Sequence, residues 1–364
     1  PHAPPHKVFD GFVPSSMPRL LAAAHDGDLK EARKLLHLGF DAETRDARGR
    51  APLHLAAARG HAEVAALLLE ERARADARDD VGQAPLHLAA LYGHTEVAEL
   101  LLAEILGAGV RSKTDHGATP LHCAAGEGHL DVAALLLERG AQAAAADEDG
   151  SLPQHHAARC GRVAMVELLL DRAAAPDAAD GRGRTALHDA AGHGHVAVSR
   201  LLLDRGATAS ACDSQGRTPL HQAAHWGHVG ASGVLLDAGG TGPLAAAEDA
   251  AGHAALHRAA AAGHSAVAKL LLDHGAVAGG EAGAAASGPA KHGALRHAAA
   301  AGHPEVVSLL LERRADTGVS GVDGRAPFHF AATGGHAEAA ALLAHSALAR
   351  REALAVDSQP PAIF

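Results

Sequence analysis

Glycine recurs along this chain at a nearly constant spacing, and this regularity constrains the fold more than any other feature. The intervals between successive members of the series are 33, 33, 35, 33, 33, 33, 36, 39 and 33 residues. A period of this length indicates an internal structural repeat, in which each repeat buries its apolar face against its neighbours. The 364 residues are therefore predicted to form one array rather than several globular domains. The ten glycines are Gly27, Gly60, Gly93, Gly128, Gly161, Gly194, Gly227, Gly263, Gly302 and Gly335.

A short motif precedes most of these glycines, and it predicts a helix that ends at the glycine. Before Gly227 it reads Thr218-Pro219-Leu220-His221-Gln222-Ala223-Ala224. Proline suits the first helical position because its missing N–H would have no partner there, and glycine permits the positive φ of a tight turn. A second apolar stripe follows each turn, as in Leu67-Leu68-Leu69, so each repeat is predicted to be a helical hairpin.

The period and the T-P-L-H-x-A-A motif together resemble the ankyrin repeat family, from about Pro18 to about His345. The resemblance implies an all-α fold, an ankyrin-repeat α-solenoid of about ten helix-turn-helix repeats joined by β-hairpin fingers. It also implies that the fingers and first helices line a concave groove. The predicted organisation is an extension at 1–17, expected to be disordered, an array at 18–345 and a tail at 346–364. Within the array, 18–46 and 326–345 are expected to be capping repeats and 47–325 the central repeats.

The start of the first helix is predicted to vary between repeats in how well it is capped. Thr119, Thr185 and Thr218 can accept a hydrogen bond from a backbone N–H through the hydroxyl, and Ser151 is expected to replace threonine in the fifth repeat. Glycines are also predicted inside the second helix after Gly227, and the stretch Gly275–Gly293 is rich in alanine and glycine, so the C-terminal third is expected to fray first. Alanine removes the cap at Ala51, Ala84, Ala254 and Ala326.

Composition argues against several classes of partner and compartment. The formal net charge of −10 disfavours nucleic acid and anionic membrane surfaces, and no apolar stretch approaches the 18 or so residues of a membrane span. Three cysteines without CxxC spacing indicate a reducing compartment, and the absence of asparagine excludes N-glycosylation. We therefore expect a cytoplasmic or nuclear protein that is not secreted, is monomeric and is not inserted in a membrane.

The histidines suggest metal or acid–base chemistry, but their positions favour a structural role. Sixteen of the 29 lie either in the T-P-L-H motif or directly after the turn glycine, so they are about one repeat apart and cannot converge on one ion. We expect the motif histidines to be neutral and bonded to their own loop and the next repeat, so that protonation below about pH 6.5 destabilises the stack. No catalytic motif is present, and the sequence predicts no catalytic residue, cofactor or metal site.

By the resemblance, partner contacts come from residues around the finger glycine and just before the turn glycine. Tyr92 and Trp226, the only Tyr and Trp, share the position before the turn. Two interpretations remain open for them, namely binding energy for a partner or cover for the neighbouring repeat. The candidate protein-binding residues are Arg48, Arg50, Arg59, Asp80, Gln83, Leu91, Tyr92, Asp115, Glu127, Glu148, Asp149, Arg159, Arg182, Arg184, His193, Arg217, His225 and Trp226.

Three hypotheses for function follow from these features. The first is a non-enzymatic scaffold that binds a protein or peptide partner of mixed charge in the groove. The second is a recruiting module of a larger enzyme, channel or ubiquitin-ligase component whose effector domain lies outside this chain. The third is a stack without a selected partner, suggested by the lost caps and the Ala-Gly insertion.

Overall fold

The computed structural model describes residues 18–104, 109–239, 242–277, 293–317 and 325–357, with side chains described as far as residue 348. The predictions made for residues 1–17, for most of the Ala-Gly stretch and for the last seven residues lie outside these ranges. Across the described ranges the chain is helical, and the predicted all-α repeat architecture is confirmed.

Within the described ranges ten helical hairpins follow one another, and we number the repeats 1 to 10 in chain order. A three-residue 3₁₀ turn at Gly109–Arg111 and a short helix at Pro243–Ala246 lie between repeats. The first helices are Arg19–Asp26, Pro52–Arg59, Pro85–Tyr92, Pro120–Glu127, Pro153–Arg159, Ala186–Gly192, Pro219–Trp226, Ala255–Ala262, Ala294–Ala301 and Pro327–Thr333. The second helices are Leu29–His37, Ala62–Glu70, Thr95–Glu104, Leu130–Glu138, Val163–Asp171, Val196–Asp204, Val229–Gly239, Ser265–Asp273, Pro304–Glu312 and Ala337–Asp357.

The turn between the two helices needs glycine for two separate reasons. Gly194 has φ 75°, in the left-handed region that side chains disfavour. A Cβ at Gly194 would also lie 2.6 Å from Nδ1 of His228, the histidine that follows the turn in the next repeat. The ring of that histidine therefore covers the glycine, and its Nε2 donates to the carbonyl of Gly192 at 3.1 Å. We call the histidines that directly follow a turn glycine the turn histidines; repeats 1 and 5 have Asp28 and Arg162 at this position.

Histidine also caps the first helix, and this corrects the prediction that threonine does so. In repeat 7 the backbone N–H of Thr218 donates to Nδ1 of His221 at 3.1 Å, and the Thr218 hydroxyl lies 2.9 Å from the same nitrogen. Because Nδ1 accepts from the N–H, the hydroxyl is the donor to it, and no threonine hydroxyl caps a backbone amide here. We call these motif residues the cap histidines.

The cap is consequently kept where threonine is lost, so the expected variation between repeats is wrong at these positions. At Ala51 and Ala84 the backbone N–H still donates to Nδ1 of His54 and His87, each at 3.1 Å. The fifth repeat differs from the prediction in register, because its helix begins at Pro153 and the residue before it is Leu152 rather than Ser151.

The described chain divides into two compact units, one formed by residues up to 154 with 171–173 and the other by 155–170 and the residues from 174 onward. Within each unit the first helices of successive repeats pack on one another, as do the second helices. Leucine and alanine fill this core, and Leu53, Leu86, Leu187 and Leu220 are fully buried. No helix of the described ranges is long and apolar enough to cross a membrane.

The C-terminal repeats contain glycines inside one second helix. The second helix of repeat 7 continues through Gly230 and Gly233, as predicted. The last helix, Ala337–Asp357, extends past residue 345. The division between array and tail at that residue stays a prediction.

Candidate binding surface of the fingers and first helices

Most of the described fingers are tight hairpin turns organised by one aspartate, and in the finger before repeat 4 the hydroxyl of Thr114 takes its place and accepts from the N–H of Ala118. In repeat 7, Oδ1 of Asp213 accepts from the backbone N–H of Gln215 and of Arg217, each at 2.9 Å, and Oδ2 accepts from Nε of Arg217 at 2.8 Å. Burial raises the pKa of Asp213, but the hydrogen bonds from Arg217 and Gln215 outweigh it and lower the pKa below its ordinary value. The same D-x-x-G-R arrangement holds Arg50 on Asp46 and Arg184 on Asp180.

The fingers are hairpin turns more than paired strands. The N–H of Asp213 donates to the carbonyl of Arg217 at 2.9 Å to close the turn. In the described ranges the only extended pairing is in two isolated bridges, Ala179 with Thr185 and Glu248 with Ala254. Neighbouring fingers are joined through the backbone, as where the N–H of Ser214 donates to the carbonyl of Arg182 at 2.9 Å.

In the first unit some of the predicted contact residues are exposed, and others are half-buried or already paired with another side chain of the protein. Arg50 is half-buried, and Nη2 of Arg59 lies 2.6 Å from Nε2 of His25. Asp115 pairs with Arg78 at 3.0 Å, and Gln83 is half-buried with its carbonyl bonded to a cap histidine. The exposed members are Arg48, Asp80, Glu148 and Asp149, and Glu127 is half-buried.

Leu91 and Tyr92 both pack against the core of the first unit, and their predicted contact with a partner stays a prediction. Leu91 is only 8% exposed and packs with Ala58 and Leu88. Tyr92 is half-buried and packs against the same cluster, which is the alternative in which the aromatic covers a neighbouring repeat.

In the second unit the predicted arginines are tied to buried carboxylates. Arg159 and Arg184 both pair with Asp189, at 3.3 and 3.4 Å, and Arg184 also pairs with Asp180 at 2.8 Å. Arg217 pairs with Asp213 at 2.7 Å. The aspartate side chains of these pairs are only 1 to 2% exposed, whereas the arginine side chains are 24 to 35% exposed. Because only the cation reaches the surface, this face presents positive charge to a partner although most of its arginines are paired.

Trp226 remains exposed where Tyr92 is covered. Its side chain is 52% exposed, and its ring contacts His225 edge to face, with centroids 4.9 Å apart. A Cβ on Gly192 of the preceding repeat would lie 4.0 Å from Cδ1 of Trp226, so the indole lies beside that helix end. The equivalent residue in the following repeat is Ala262, which is too small to cover the ring. His193, His225 and Arg182 are the exposed polar members of the predicted set in this unit.

Several residues of this surface were missed by sequence reasoning. Asp189 is buried and holds two arginines, and Arg258 pairs with Asp249 in repeat 8. A signal was present for Asp189, since it is the one acid of a helix that otherwise holds His188 and small or apolar residues. No such signal was present for Arg258, because His253 stands where the D-x-x-G-R motif would place arginine after Asp249. The turn histidines were counted only as structural, although their rings line the surface beside Trp226.

Comparison with known proteins agrees with this architecture. A family model for ankyrin repeats, in copies of three, matches residues 20–114, 102–180, 174–245, 211–282 and 277–351. These matches extend over most of the chain, and it belongs to the ankyrin repeat family.

The similar curated proteins match over short segments. Ankyrin repeat domain-containing protein 46 of Mus musculus is 53% identical over 49 residues, which is 14% of this chain and 22% of that protein. The Danio rerio protein of the same name is 59% identical over 44 residues, 12% of this chain and 19% of that protein. A 60 kDa lysophospholipase of Mus musculus is 48% identical over 50 residues, 14% of this chain and 9% of that protein. The chain thus covers about a fifth or less of the length of these relatives.

Proposed function

We propose that this chain is a non-enzymatic scaffold that binds a partner protein through its fingers and first helices. Ankyrin repeat proteins generally mediate protein–protein interaction, and the family is typically non-enzymatic. The observation that carries the proposal is the exposure of Trp226 on a helix whose Leu220 and His221 are buried. A half-exposed indole beside His225, on a face that also exposes arginine side chains, has the composition that is enriched in interface hot spots.

The test is capture of partners from a lysate of the source cell by the intact chain and by a Trp226→Ala variant. Val229→Ala is the matched control, because Val229 is an exposed apolar residue of the same repeat on the second helix. Circular dichroism establishes that all three proteins are equally folded. We expect a protein that binds the unmodified chain and Val229→Ala but is lost from Trp226→Ala. A set of captured proteins unchanged by Trp226→Ala would contradict the proposal.

A second candidate function is a recruiting module within a larger protein. It is favoured by the relative named as a lysophospholipase, in which the matching segment is only 9% of an enzyme. In that case the surface around Trp226 recruits a substrate or regulator for an activity located outside this chain. Sequencing the full reading frame distinguishes the two candidates. The candidate compartment, cytoplasm or nucleus, rests on three cysteines that form no disulfide, namely Cys123, Cys160 and Cys212.

A further inference from the structure

Five histidines lie on or directly after the first helices of repeats 6, 7 and 8, and one of them contacts Trp226. His193 and His195 stack with ring centroids 6.2 Å apart, and His225 contacts Trp226 directly. Nε2 of His228 donates to the carbonyl of Gly192, beside the indole, and Nε2 of His264 donates to the carbonyl of His225 at 3.1 Å. We call Trp226 with these five histidines the Trp226 patch. It joins the ends of three successive first helices.

The turn histidines of this patch can take up a proton without losing a hydrogen bond. In His195, His228 and His264 the bonded nitrogen is Nε2, which donates to a backbone carbonyl and is protonated in both charge states. The cap histidines differ, because their Nδ1 accepts a backbone N–H and protonation would break that bond. One class of histidine is therefore compatible with positive charge in the folded protein and the other is not.

The carboxylates of the second helices lie away from the patch. The turn histidine is followed two residues later by an acid in repeats 2, 3, 4, 9 and 10, at Glu63, Glu96, Asp131, Glu305 and Glu338. The second helices of repeats 6, 7 and 8 have no acid in their first turn. Their carboxylates, Asp204, Asp237 and Asp273, lie toward the other helix end, about 12 Å away at 1.5 Å per residue.

The remaining charged groups that face the patch favour an anion. Asp189, Asp213 and Asp249 are nearly fully buried, and each is paired with arginine. Burial, with the charges of Arg258, His264 and Arg217, lowers the pKa of His225. Burial, with the neighbouring His193, His195 and His264, also lowers the pKa of His228. A bound carboxylate would oppose this lowering, because it would place negative charge beside both rings.

We propose that the Trp226 patch binds an acidic peptide segment bearing an apolar side chain, and that its histidines tighten this binding as the pH falls below neutrality. The apolar side chain packs on the indole, and glutamate or aspartate side chains lie over the imidazoles and arginine edges. Binding is coupled to uptake of protons by the patch. This inference rests on the proposed scaffold function, for which it names the chemical class of partner.

The probe is a short synthetic peptide of glutamates around one leucine, and the signal is the fluorescence of Trp226, the single tryptophan of the chain. The intact chain is titrated at about pH 7.5 and about pH 6.0, where glutamate, with an ordinary pKa of about 4.3, stays ionised. We expect Kd to fall by about tenfold at the lower pH, because proton uptake by the patch adds positive charge opposite the glutamates. Circular dichroism confirms that the chain is folded at both values.

Paired variants separate the patch from the general effect of pH. In the double variant His228→Gln/His264→Gln we expect a Kd that changes less than about twofold between the two pH values. His303→Gln/His336→Gln is the matched control, because these turn histidines make the same bonds to Ala261 and Ala300 but are followed by Glu305 and Glu338. The control is expected to keep the full pH dependence.

Three results would overturn the inference. One is the same Kd at both pH values, and another is equal binding of a peptide in which lysine replaces glutamate. The third is a single-stranded oligonucleotide that binds more tightly than the glutamate peptide, because the patch would then select polyanions in general. If Trp226→Ala loses a captured protein while the glutamate peptide shows no pH dependence, only this inference falls. A capture unaffected by Trp226→Ala removes the proposed function instead, whatever the peptide does.

Discussion

At the scale of the residue, the imidazole of one cap histidine both caps its own helix and bonds the next repeat. His54 is fully buried, its Nδ1 accepts the N–H of Ala51 at 3.1 Å, and its Nε2 donates to the carbonyl of Gln83 at 3.1 Å. Burial is the main reason that its pKa is lowered to about 4. The ring is therefore a neutral group at physiological pH, with both nitrogens occupied.

Replacing this ring tests its structural role. We expect His54→Ala to lower the free energy of unfolding by about 2–4 kcal/mol, because two buried backbone groups lose a partner and a cavity remains. The measurement is urea unfolding followed by circular dichroism.

The matched variant for His54 is His116→Ala, on an exposed finger residue of the same unit whose ion pair with Glu148 is long at 3.9 Å. It is expected to change stability by less than about 0.5 kcal/mol. If the two substitutions lowered the free energy of unfolding equally, the cap histidine would contribute no more to stability than an exposed residue does.

The sequence alone predicted the general role of the motif histidines, but not which atoms they bond. The position of His54 in the motif indicated a neutral, hydrogen-bonded ring, and the structure confirms it. The sequence could not show that Nδ1 rather than a threonine hydroxyl receives the backbone N–H, because both are within reach from the same turn. It also could not separate Tyr92 from Trp226, since the difference lies in what neighbouring repeats place beside each ring.

At the scale of the element, the helix-turn-helix hairpin depends on a glycine and a histidine that come from successive repeats. Gly194 and Gly206 both have positive φ, 75° and 90°. A Cβ at Gly206 would meet nothing within 4 Å, whereas one at Gly194 would strike the His228 ring. Both glycines therefore need a left-handed backbone, but only Gly194 also faces a histidine ring.

This pair separates backbone strain from steric conflict. We expect Gly206→Ala to cost about 1–2 kcal/mol for the left-handed backbone alone. Gly194→Ala should cost at least about 1 kcal/mol more, because the imidazole must move and its bond to Gly192 is lost. Urea unfolding of both variants provides the comparison.

A double-mutant cycle identifies the His228 ring as the source of the difference. In a His228→Ala background, the additional cost of Gly194→Ala should fall to that of Gly206→Ala. A cost that stays the same in both backgrounds would assign the whole effect to the backbone.

At the scale of the whole molecule, the cap histidines make stability depend on pH. Burial lowers the pKa of His54, His87 and His257 to about 4. It also lowers the pKa of His155, His188 and His221. An unfolded histidine titrates near 6.5, so below that value the unfolded chain binds more protons than the folded one. Stability is therefore complete above about pH 6.5 and is lost as the pH falls toward 4.

We expect the urea midpoint to decrease between about pH 7.5 and about pH 5.0, with each cap histidine contributing up to about 1.4 kcal/mol per pH unit below 6.5. The aspartates of three fingers do not obscure this window, because the pKa values of Asp180, Asp213 and Asp249 are lowered from 3.8. Asp79 is the exception, because burial raises its pKa. His303→Gln, at a turn position, should leave the slope unchanged. A midpoint independent of pH over this range would contradict the assignment of the cap histidines as buried neutral groups.

The direction of the histidine bonds also limits how such an array can change in length. Cap histidines reach forward, as His188 does to the carbonyl of Arg217, and turn histidines reach back, as His228 does to Gly192. An insertion inside a hairpin would shift Nε2 of the cap histidine and Nε2 of the turn histidine away from the carbonyls that they bond. The segment from the end of one second helix to the next finger is bonded by neither histidine. The extra residues after repeat 7 fall in that segment, and His221 still reaches the carbonyl of His253 at 2.8 Å across the longer interval. Lineages that lengthen this chain are thus expected to duplicate complete hairpins or to extend the loops that precede the fingers.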